Sequence, residues 1–341
     1  MNILIFGCGS IGTHHAQAAR SLNFNVYVTD INASQMNYMR KKLYPARYGK
    51  WDDNIIFLDY KNIFNFKKVF DLVIIGTSPA FHLTVLKKII KKIKYKKILV
   101  EKPLCVYKQN LDFLKKKKFK KNLYCGFNHS ISPSILNLFK LSKQKKIGKV
   151  YYVKINWKED FKLVLKAHPW IKSIKDSYLS DINKGGGVSH EYSHAIHLGV
   201  CFKNILFPKK NIKMSNKITF KKINNNKYDI KTIIKLKHNN TTIEMDIDSI
   251  TNPPKKNLII YGKKGKIYWE RNMKKKEEKI SIFKEKKVIT KKFLISRPFD
   301  FINQLKILLI NKKNSITNIT KIESAITVMK IMKNIFQKKH V

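Results

Sequence analysis

Hydrophobic and polar positions in the first 130 residues alternate between short apolar runs and amphipathic stretches. The apolar runs lie at 1–6, 25–30, 55–58, 70–75, 98–100 and 122–128. Short runs of this kind, rich in β-branched residues, are typical of buried parallel strands. Residues 87–94 place isoleucines on one side and lysines on the other, as an amphipathic helix does. Strands that alternate with helices predict an α/β domain with a doubly wound parallel sheet.

The pattern changes after about residue 128. Repeated β-like runs lie at 150–157, 218–223, 228–237, 241–247, 257–261, 266–269 and 279–283. Asn239-Asn240 and Lys263-Lys264-Gly265 are turn signals between them. The pattern predicts a mostly antiparallel sheet with one face on a core and one face open. Residues 299–309 and 320–336 are predicted to be closing helices. The predicted domains are therefore 1–127 and an α+β domain at 128–341.

The first predicted strand runs directly into a glycine motif, Gly7-Cys8-Gly9-Ser10-Ile11-Gly12, and a helix-compatible stretch follows. Strand, G-x-G-x-x-G and helix in this order predict a Rossmann dinucleotide-binding unit. Gly7 allows a tight turn, Gly9 leaves room for a pyrophosphate, and Gly12 lets the helix pack closely on the strand. The alternative is a glycine-rich turn with no ligand. The N–H groups at the start of the helix, at Ser10 and Ile11, favour phosphate binding.

Asp30 ends the second predicted strand, 18 positions after Gly12. A carboxylate near this offset meets the adenosine ribose hydroxyls and repels a 2′-phosphate, so NAD is favoured over NADP. NADP remains possible because Arg40 and the lysines after it could compensate. The alternative role for Asp30 is a helix N-cap. Another loop, at 76–82, follows the fourth strand, where ligands of open α/β sheets bind.

The charge of the chain is extreme, since 71 lysines and arginines against 22 acids give +49. Nucleic acid, an anionic membrane or a phosphorylated partner would fit such a charge. The lysines nevertheless occur in every segment and form no stripe with interleaved aromatic residues, so we predict no specific nucleic-acid partner. The charge still draws in anionic ligands such as nucleotides.

Four cysteines at 8, 105, 125 and 201 lack C-x-x-C spacing, which favours free thiols in a reducing compartment. The N-terminus has no basic n-region and enters a strand at once, so no signal peptide is expected. No apolar run approaches the ~20 residues that a membrane span needs. These features predict a cytoplasmic protein.

Glu101-Lys102-Pro103 follows the fifth strand, which places a lysine at the carboxyl edge of the sheet. Lys102 is therefore a candidate to hold a substrate hydroxyl and ease its proton away as a hydride leaves. In a chain so rich in lysine, a solvated loop residue is the alternative.

His190-Glu191-Tyr192-Ser193-His194 formally matches H-E-x-x-H. On one continuous helix, His190 and His194 would share a face and could bind zinc, with Glu191 as the base. A third ligand at a usual distance is missing, since His197 is too close. In the other functional interpretation His194 accepts a proton and Glu191 orients it or holds a substrate hydroxyl. A buried, hydrogen-bonded histidine is the non-functional alternative.

Together, the glycine motif with His15, Glu101-Lys102-Pro103, and Gly185-Gly186-Gly187 followed by Glu191 and His194 resemble the Gfo/Idh/MocA oxidoreductase family. The resemblance covers essentially the whole chain. The stretch from His168-Pro169-Trp170 through Tyr178 to His194 is similar to a branch found among surface-glycan biosynthesis genes.

The resemblance implies NAD(P)-dependent chemistry at a sugar or cyclitol carbon and a C-terminal sheet that forms a homo-oligomer, a dimer or tetramer. It implies Lys102 and His194 as catalytic residues, and Glu191, Asn128 and Tyr178 as contacts for a sugar or nucleotide-sugar substrate. The implied cofactor contacts are Gly7, Gly9, Ser10, Ile11, Gly12, Asp30, Thr77, Ser78, Pro79, His82, Glu101 and Lys102. The chain departs from the family pattern at His129, where a basic residue is common, and at His197, where an acid is usual.

The sequence thus predicts an NAD(P)-dependent sugar dehydrogenase or reductase without a metal. Two alternatives stay open. One is a non-catalytic NAD-binding sensor or scaffold on the same fold, and the other is a zinc hydrolase that uses His190 and His194.

Overall fold

We describe the fold from a computed structural model, which describes residues 1–116, 121–166, 171–208, 210–296, 298–310 and 314–337. The predicted His168-Pro169-Trp170 motif lies outside these residues. The chain forms two compact units. The first contains Met1–Cys105, Gln109–Asn128 and Ser296–Ile326. The second contains Val106–Lys108, His129–Ile295 and the chain from Thr327 onward.

Fourteen strands are present in the described residues. They are β1 (Asn2–Phe6), β2 (Asn25–Thr29), β3 (Ile55–Phe57), β4 (Val69–Ile75), β5 (Lys94–Val100), β6 (Leu123–Cys125), β7 (Val150–Lys158), β8 (Lys213–Ile223), β9 (Asn226–His238), β10 (Thr241–Asp248), β11 (Lys255–Gly262), β12 (Gly265–Asn272), β13 (Glu277–Lys284) and β14 (Lys287–Leu294).

Eleven α-helices lie between them in the same part of the chain. They are α1 (Ser10–Arg20), α2 (Ala33–Tyr38), α3 (Pro45–Tyr48), α4 (His82–Lys92), α5 (Pro133–Lys143), α6 (Phe161–Lys166), α7 (Val188–Glu191), α8 (Ser193–Leu206), α9 (Phe299–Leu309), α10 (Asn314–Thr317) and α11 (Ile322–Gln337). A π-helical turn, Met39–Leu43, joins α2 to the segment before α3.

The first unit is built on six parallel strands in the order β3-β2-β1-β4-β5-β6. This is the Rossmann order, and it confirms the predicted doubly wound sheet. The strand order reverses between β1 and β4, and the loops after these two strands leave the sheet at the same edge. That edge is where ligands of such sheets bind.

The core of the first unit includes residues from near the end of the chain. Phe301, Leu305 and Leu308 of α9 are buried in one apolar cluster with strand residues such as Ile3 and Val26. Lys97 of β5 donates a hydrogen bond to the Leu308 carbonyl at the C-terminal end of α9. The sequence-based division assigned everything after residue 127 to the second domain, whereas packing of this apolar helix face assigns the segment around α9 to the first unit.

The second unit contains an eight-stranded sheet in the order β14-β13-β12-β11-β7-β10-β9-β8. Only β7 and β10 pair in parallel, and every other pair is antiparallel. The predicted mostly antiparallel sheet is therefore confirmed. Gly199 of α8 packs against one face, because a Cβ at this position would lie 2.2 Å from the sulfur of Met245.

Most predicted element positions agree with the structure. The turn signals at Asn239-Asn240 and Lys263-Lys264-Gly265 connect strands, with Asn239 and Gly265 at positive φ. β14 was not predicted from the sequence, because its residues are nearly all exposed and show no alternation. All four cysteines are buried free thiols. Among the described helices, none combines the length and apolarity that a bilayer crossing requires.

Candidate functional site

The two loops at the reversal point of the parallel sheet touch each other through glycines. Gly7 has φ +108, and a Cβ there would lie 2.7 Å from the carbonyl oxygen of Gly76. A Cβ on Gly12 would lie 1.9 Å from the carbonyl oxygen of Gly7. Gly7 and Gly12 are therefore needed for close backbone packing.

Gly9 is different, because a Cβ built on it meets no atom within 4 Å. Its φ of −77 is also open to any residue. Gly9 is the N-cap of α1, so the open space lies beside the first-turn N–H groups of Ser10 and Ile11. The N-terminal N–H groups of a helix lack intrahelical acceptors and attract anions. A cradle with this chemistry fits the pyrophosphate of a dinucleotide.

Asp30 holds the glycine loop through its carboxylate. Its Oδ2 accepts a hydrogen bond from the Cys8 N–H at 2.8 Å, and its Oδ1 accepts one from the Asn32 N–H at 2.9 Å. The N-cap of α2 is Asn32 and not Asp30. Each carboxylate oxygen can accept a further hydrogen bond, so the predicted contact with ribose hydroxyls stays chemically available. Burial, and to a smaller extent Asp30, raises the pKa of the Cys8 thiol, which therefore stays protonated.

The second loop offers a hydroxyl that the described residues do not use. Thr77 Oγ1 is buried, and no described residue hydrogen-bonds to it. A buried polar atom without a partner is costly, so a ligand or water partner is expected there. Ser78 is exposed and Pro79 is buried at the start of a 3₁₀ turn, Pro79–Phe81. Thr77 fits a polar group of the cofactor, and the roles of Ser78 and Pro79 stay predictions.

His82, another predicted cofactor contact, is buried and faces two backbone carbonyls. Its Nε2 lies 2.8 Å from the Thr77 oxygen, and its Nδ1 lies 2.9 Å from the Pro103 oxygen. Burial lowers the pKa of His82, although these carbonyls and Glu101 oppose that shift. The imidazole therefore connects the second loop to the turn that carries Lys102.

The Glu101 carboxylate is buried and turned toward helix α1. Its Oε1 lies 2.7 Å from His15 Nε2, and its Oε2 accepts a hydrogen bond from the Lys102 N–H at 3.2 Å. It packs so closely on Gly126 that a Cβ there would lie 2.4 Å from Oε2. Lys102 is partly exposed and is the second residue after the end of β5. The sequence analysis gave His15 no role, and the structure makes it the buried partner of Glu101.

Asn128 is the last residue of the first unit before the chain enters the second unit. Its Nδ2 donates to Asp300 Oδ2 at 3.4 Å. Its Oδ1 is buried and accepts no hydrogen bond from any described residue. The predicted substrate contact of Asn128 stays a prediction, and Oδ1 is the atom that fits it.

In the second unit, the H-E-x-x-H stretch does not form one continuous helix. α7 ends at Glu191, Tyr192 has φ −98 and ψ 30, and α8 begins at Ser193. The shared face that a zinc pair of His190 and His194 requires is therefore interrupted.

His190 is fully buried and engaged on both ring nitrogens. Its Nε2 accepts from the Tyr107 N–H at 3.3 Å, so its Nδ1 carries the proton and donates to the Gly186 oxygen at 2.9 Å. Burial lowers its pKa to about 4. No group of three His, Cys, Asp or Glu side chains in the described residues is arranged to hold a metal. The donor set of His190 does not fit a zinc site.

His194 lies among aromatic rings that belong to other elements. The His129 ring is perpendicular to it at a centroid distance of 4.3 Å, and Trp157 of β7 stacks on it at 6.0 Å. Arg271 Nη1 lies 2.6 Å from His129 Nδ1. Because a guanidinium only donates, His129 Nδ1 is an unprotonated acceptor. Glu278 accepts from Arg271 Nε at 2.6 Å and balances its charge.

Glu191 and Tyr178, the predicted substrate contacts in this unit, are brought together. Tyr178 Oη donates to Glu191 Oε2 at 3.1 Å. Burial and the neighbouring carboxylate raise the pKa of Tyr178 well above its usual value. The tyrosine residue is still 36% exposed, so the pair is not sealed off from solvent. His197, by contrast, is buried, and its Nδ1 lies 2.7 Å from Ser130 Oγ.

Comparisons with known proteins agree with this fold. Residues 1–129 match the sequence model of the Gfo/Idh/MocA oxidoreductase family, described as an NAD-binding Rossmann fold. No curated protein sequence matches the chain.

Several solved structures share the fold at low sequence identity. Aldose-aldose oxidoreductase from Caulobacter crescentus aligns with a TM-score of 0.73 and 13% identity, over 99% of this chain and 96% of that chain. Levoglucosan dehydrogenase in complex with NADH has a TM-score of 0.71 and 13% identity, over 97% and 94%. The WlbA dehydrogenase from Chromobacterium violaceum, in complex with NADH and UDP-GlcNAcA, has a TM-score of 0.67 and 15% identity, over 97% and 91%.

At these identities the structural likeness is one of fold. The glycine loop, Asp30, the Thr77 loop and Lys102 all lie within the matched residues 1–129. The first 129 residues of this chain therefore match the sequence model of the Gfo/Idh/MocA oxidoreductases, and the structure gives them the NAD-binding Rossmann fold that the model describes.

Proposed function

We propose that this protein is an NAD-dependent oxidoreductase that moves a hydride between nicotinamide and a CH–OH carbon of a sugar or nucleotide sugar. One observation carries the proposal. Lys102 is the second residue after β5, at the same edge of the sheet as Gly9 and Thr77. Gly9 leaves open space there, and no described residue hydrogen-bonds to the Thr77 hydroxyl. A polar cradle for the dinucleotide and a cationic side chain thus occupy the same edge of one sheet.

In the direction of oxidation, an NAD held by the glycine loop and the Thr77 loop would supply the acceptor for the hydride that leaves the substrate carbon. The Lys102 ammonium holds the substrate oxygen and stabilises the negative charge that develops on it. The His194 imidazole takes the hydroxyl proton, so the alcohol loses a hydride and a proton and becomes a carbonyl. That Lys102 and His194 meet at one substrate carbon stays a prediction.

The second unit supplies polar groups that suit a carbohydrate. Glu191 and Tyr178 form a hydrogen-bonded pair that remains accessible, and a carboxylate next to a phenol can bind neighbouring sugar hydroxyls. Asn128 in the first unit adds a carbonyl acceptor at Oδ1. These contacts belong to the proposal.

A nucleotide sugar of surface-glycan biosynthesis is the substrate class that we favour. Support comes from the fold likeness to WlbA, which was crystallised with NADH and UDP-GlcNAcA, and from the net charge of +49, which attracts an anionic diphosphate. The four free thiols support a reducing, cytoplasmic setting. We also propose a dimer or tetramer formed through the second sheet, which light-scattering masses would test.

Replacement of Lys102 tests the role of that side chain. We expect Lys102→Met to lower turnover by about 10²–10⁴-fold, because it removes the charge that stabilises the reacting oxygen. The affinity for NADH, measured by fluorescence titration, should change little. Turnover is read at the absorbance band of reduced nicotinamide with a panel of sugars and UDP-sugars.

Lys96→Met is the matched control, because Lys96 lies on β5, the strand that leads to Lys102, and its exposed amine pairs with Asp71 at 2.7 Å. Its turnover should equal that of the unmodified protein. Equal turnover in Lys102→Met would remove Lys102 from the mechanism. Tight NADH binding without turnover on any panel member would instead favour the non-catalytic sensor.

A further inference from the structure

We propose that His15 and His82 are positioning residues that fix the Glu101-Lys102-Pro103 turn from opposite ends. The inference rests on the proposed function, because its importance comes from the role of Lys102. Both histidines are buried in the first unit, and neither is expected to touch the substrate. Together they connect the two cofactor loops to the lysine.

His15 acts through the Glu101 carboxylate. His15 Nε2 contacts Glu101 Oε1 at 2.7 Å, and Glu101 Oε2 holds the backbone N–H of Lys102. Nδ1 of His15 makes no hydrogen bond to any described residue, so Nε2 carries the polar contact of this ring. Phe301 packs edge-on against the imidazole at 4.9 Å.

The close fit of Gly126 leaves the Glu101 carboxylate little freedom to turn away. All three atoms of the carboxylate group lie within 2.5 Å of where a Cβ on Gly126 would be. Loss of the His15 contact would leave a buried carboxylate without its charge-assisted partner, and the carboxylate would then reorient or take up water. The Lys102 backbone would lose its acceptor in the process.

His82 acts at the other end of the turn. Its Nδ1 lies 2.9 Å from the Pro103 carbonyl oxygen and its Nε2 lies 2.8 Å from the Thr77 carbonyl oxygen, and a neutral ring donates to one of them at a time. The same ring therefore contacts the residue after Lys102 and the residue whose Oγ1 faces the proposed cofactor space. Gln109 Nε2 donates to the Ala80 carbonyl at 3.1 Å and also supports this loop.

Each of the two histidines lies in a helix that begins at one of the proposed cofactor loops. His15 lies in α1, which begins at the glycine loop, and His82 begins α4, directly after the Thr77 loop. An adjustment of either loop around the dinucleotide is thus passed through one imidazole to the lysine turn. Cofactor binding and the orientation of Lys102 are coupled by this route.

Four conservative variants test the proposal, because asparagine places its amide near the Nδ1 position of histidine and glutamine near the Nε2 position. At position 15 the essential atom is Nε2, so His15→Gln should preserve the lysine turn and His15→Asn should not. At position 82 the essential atom is Nδ1, so His82→Asn should preserve it and His82→Gln should not.

The readout is the acetylation rate of each lysine with an N-hydroxysuccinimide acetate, followed by peptide mass spectrometry with and without NADH. The many other lysines of the chain serve as internal standards. We expect severalfold faster labelling of Lys102, and weaker protection by NADH, in His15→Asn and His82→Gln alone. His238→Gln, which changes a carbonyl-bonded histidine of the second unit, should leave Lys102 labelling unchanged.

A purely structural role predicts a different result, with labelling changes that spread over many lysines and follow the melting temperature. That pattern, or unchanged Lys102 labelling in both His15→Asn and His82→Gln, would overturn the proposal. The labelling needs no turnover, so this test can fail while the proposed reaction stands. Conversely, the crossed pattern of variants can hold in a protein that oxidises no sugar on the panel.

Discussion

At the scale of single residues, the three glycines of the G-x-G-x-x-G motif have different roles. Gly7 and Gly12 are required by the backbone atoms next to them, whereas the position of Gly9 would accept a side chain in the protein alone. A glycine that backbone packing does not require indicates that its position leaves space for a ligand. This distinction separates a dinucleotide-binding loop from a glycine-rich turn, the alternative that the sequence left open.

Alanine substitutions make this distinction measurable. Gly9→Ala should fold with an unchanged melting temperature but bind NADH at least about tenfold more weakly, because the methyl group enters the space of the pyrophosphate. Fluorescence titration measures the NADH affinity, and thermal unfolding measures the melting temperature.

Gly12→Ala is the matched control, since its methyl group meets backbone and should cost about 1–3 kcal/mol of folding free energy. NADH affinity that is unchanged in Gly9→Ala would contradict the cofactor role of this loop.

A buried histidine gives the protein a specific response to acid. Because burial lowers the pKa of His190 to about 4, the unfolded chain binds more protons than the folded chain between about pH 6.5 and pH 4. The stability linked to this group is fully present above pH 6.5 and is lost as the pH falls, approaching about 3 kcal/mol at pH 4.

We expect His190→Asn, which can keep the donor to Gly186, to show a flatter dependence of the unfolding free energy on pH over this range. Urea unfolding at several pH values measures it. Both proteins contain Asp229, whose raised pKa acts in the opposite direction, so the difference between them isolates His190. Parallel pH profiles would contradict the assignment of a buried neutral imidazole.

At the scale of elements, the triple glycine explains how α7, the short helix that carries Glu191, begins. Gly187 has φ +81, and a Cβ there would lie 1.8 Å from Asp229 Oδ1. Asp229 Oδ2 accepts from the Ser189 N–H at 2.9 Å and from Ser189 Oγ at 2.6 Å, at the start of α7. A strand carboxylate thus holds the helix start against β9, and only glycine fits between them.

This packing predicts a measurable coupling between two positions. Gly187→Ala should destabilise the protein by about 2 kcal/mol or more, through the positive φ and the clash with Asp229. In an Asp229→Ala background the clash is gone, so the same glycine substitution should cost less. Urea unfolding of the four proteins gives the coupling free energy. Strictly additive costs would show that the carboxylate does not constrain Gly187.

Elements were predictable from the sequence where their local pattern was strong. Apolar runs and turn signals predicted the six parallel strands and most of the antiparallel strands. They did not predict β14, because its residues are almost all exposed and the partner strand supplies the pairing. The interruption at Tyr192 was not predicted, because no glycine or proline in His190–His194 marks it.

Contacts between distant residues were beyond the sequence pattern. His129 meets Arg271, 142 positions away, and His15 meets Glu101, 86 positions away. At the departure from the family pattern, His129 accepts a hydrogen bond from the guanidinium of Arg271. No local signal joins these partners, although a histidine inside a helix that follows a cofactor loop was a hint.

At the scale of the whole molecule, the sequence predicted the fold class and the cofactor, because both depend on periodicity and on one ordered motif. It could not predict that the chain returns to its first unit near its end. The apolar face of α9 was visible, but nothing in its sequence says which core it joins. Phe301 packs on His15 and stacks on His14 at 5.1 Å, so this helix also supports the residues behind the cofactor loop.

This return of the chain has a consequence for biogenesis. The parallel strands of the first unit are synthesised before the second unit, yet the apolar cluster that they form stays uncovered until Phe299–Leu309 has been made. In a nascent chain, the first unit therefore stays incomplete while the second unit folds. A fragment cut at residue 128 would keep every strand of the parallel sheet and still expose the surface that α9 covers.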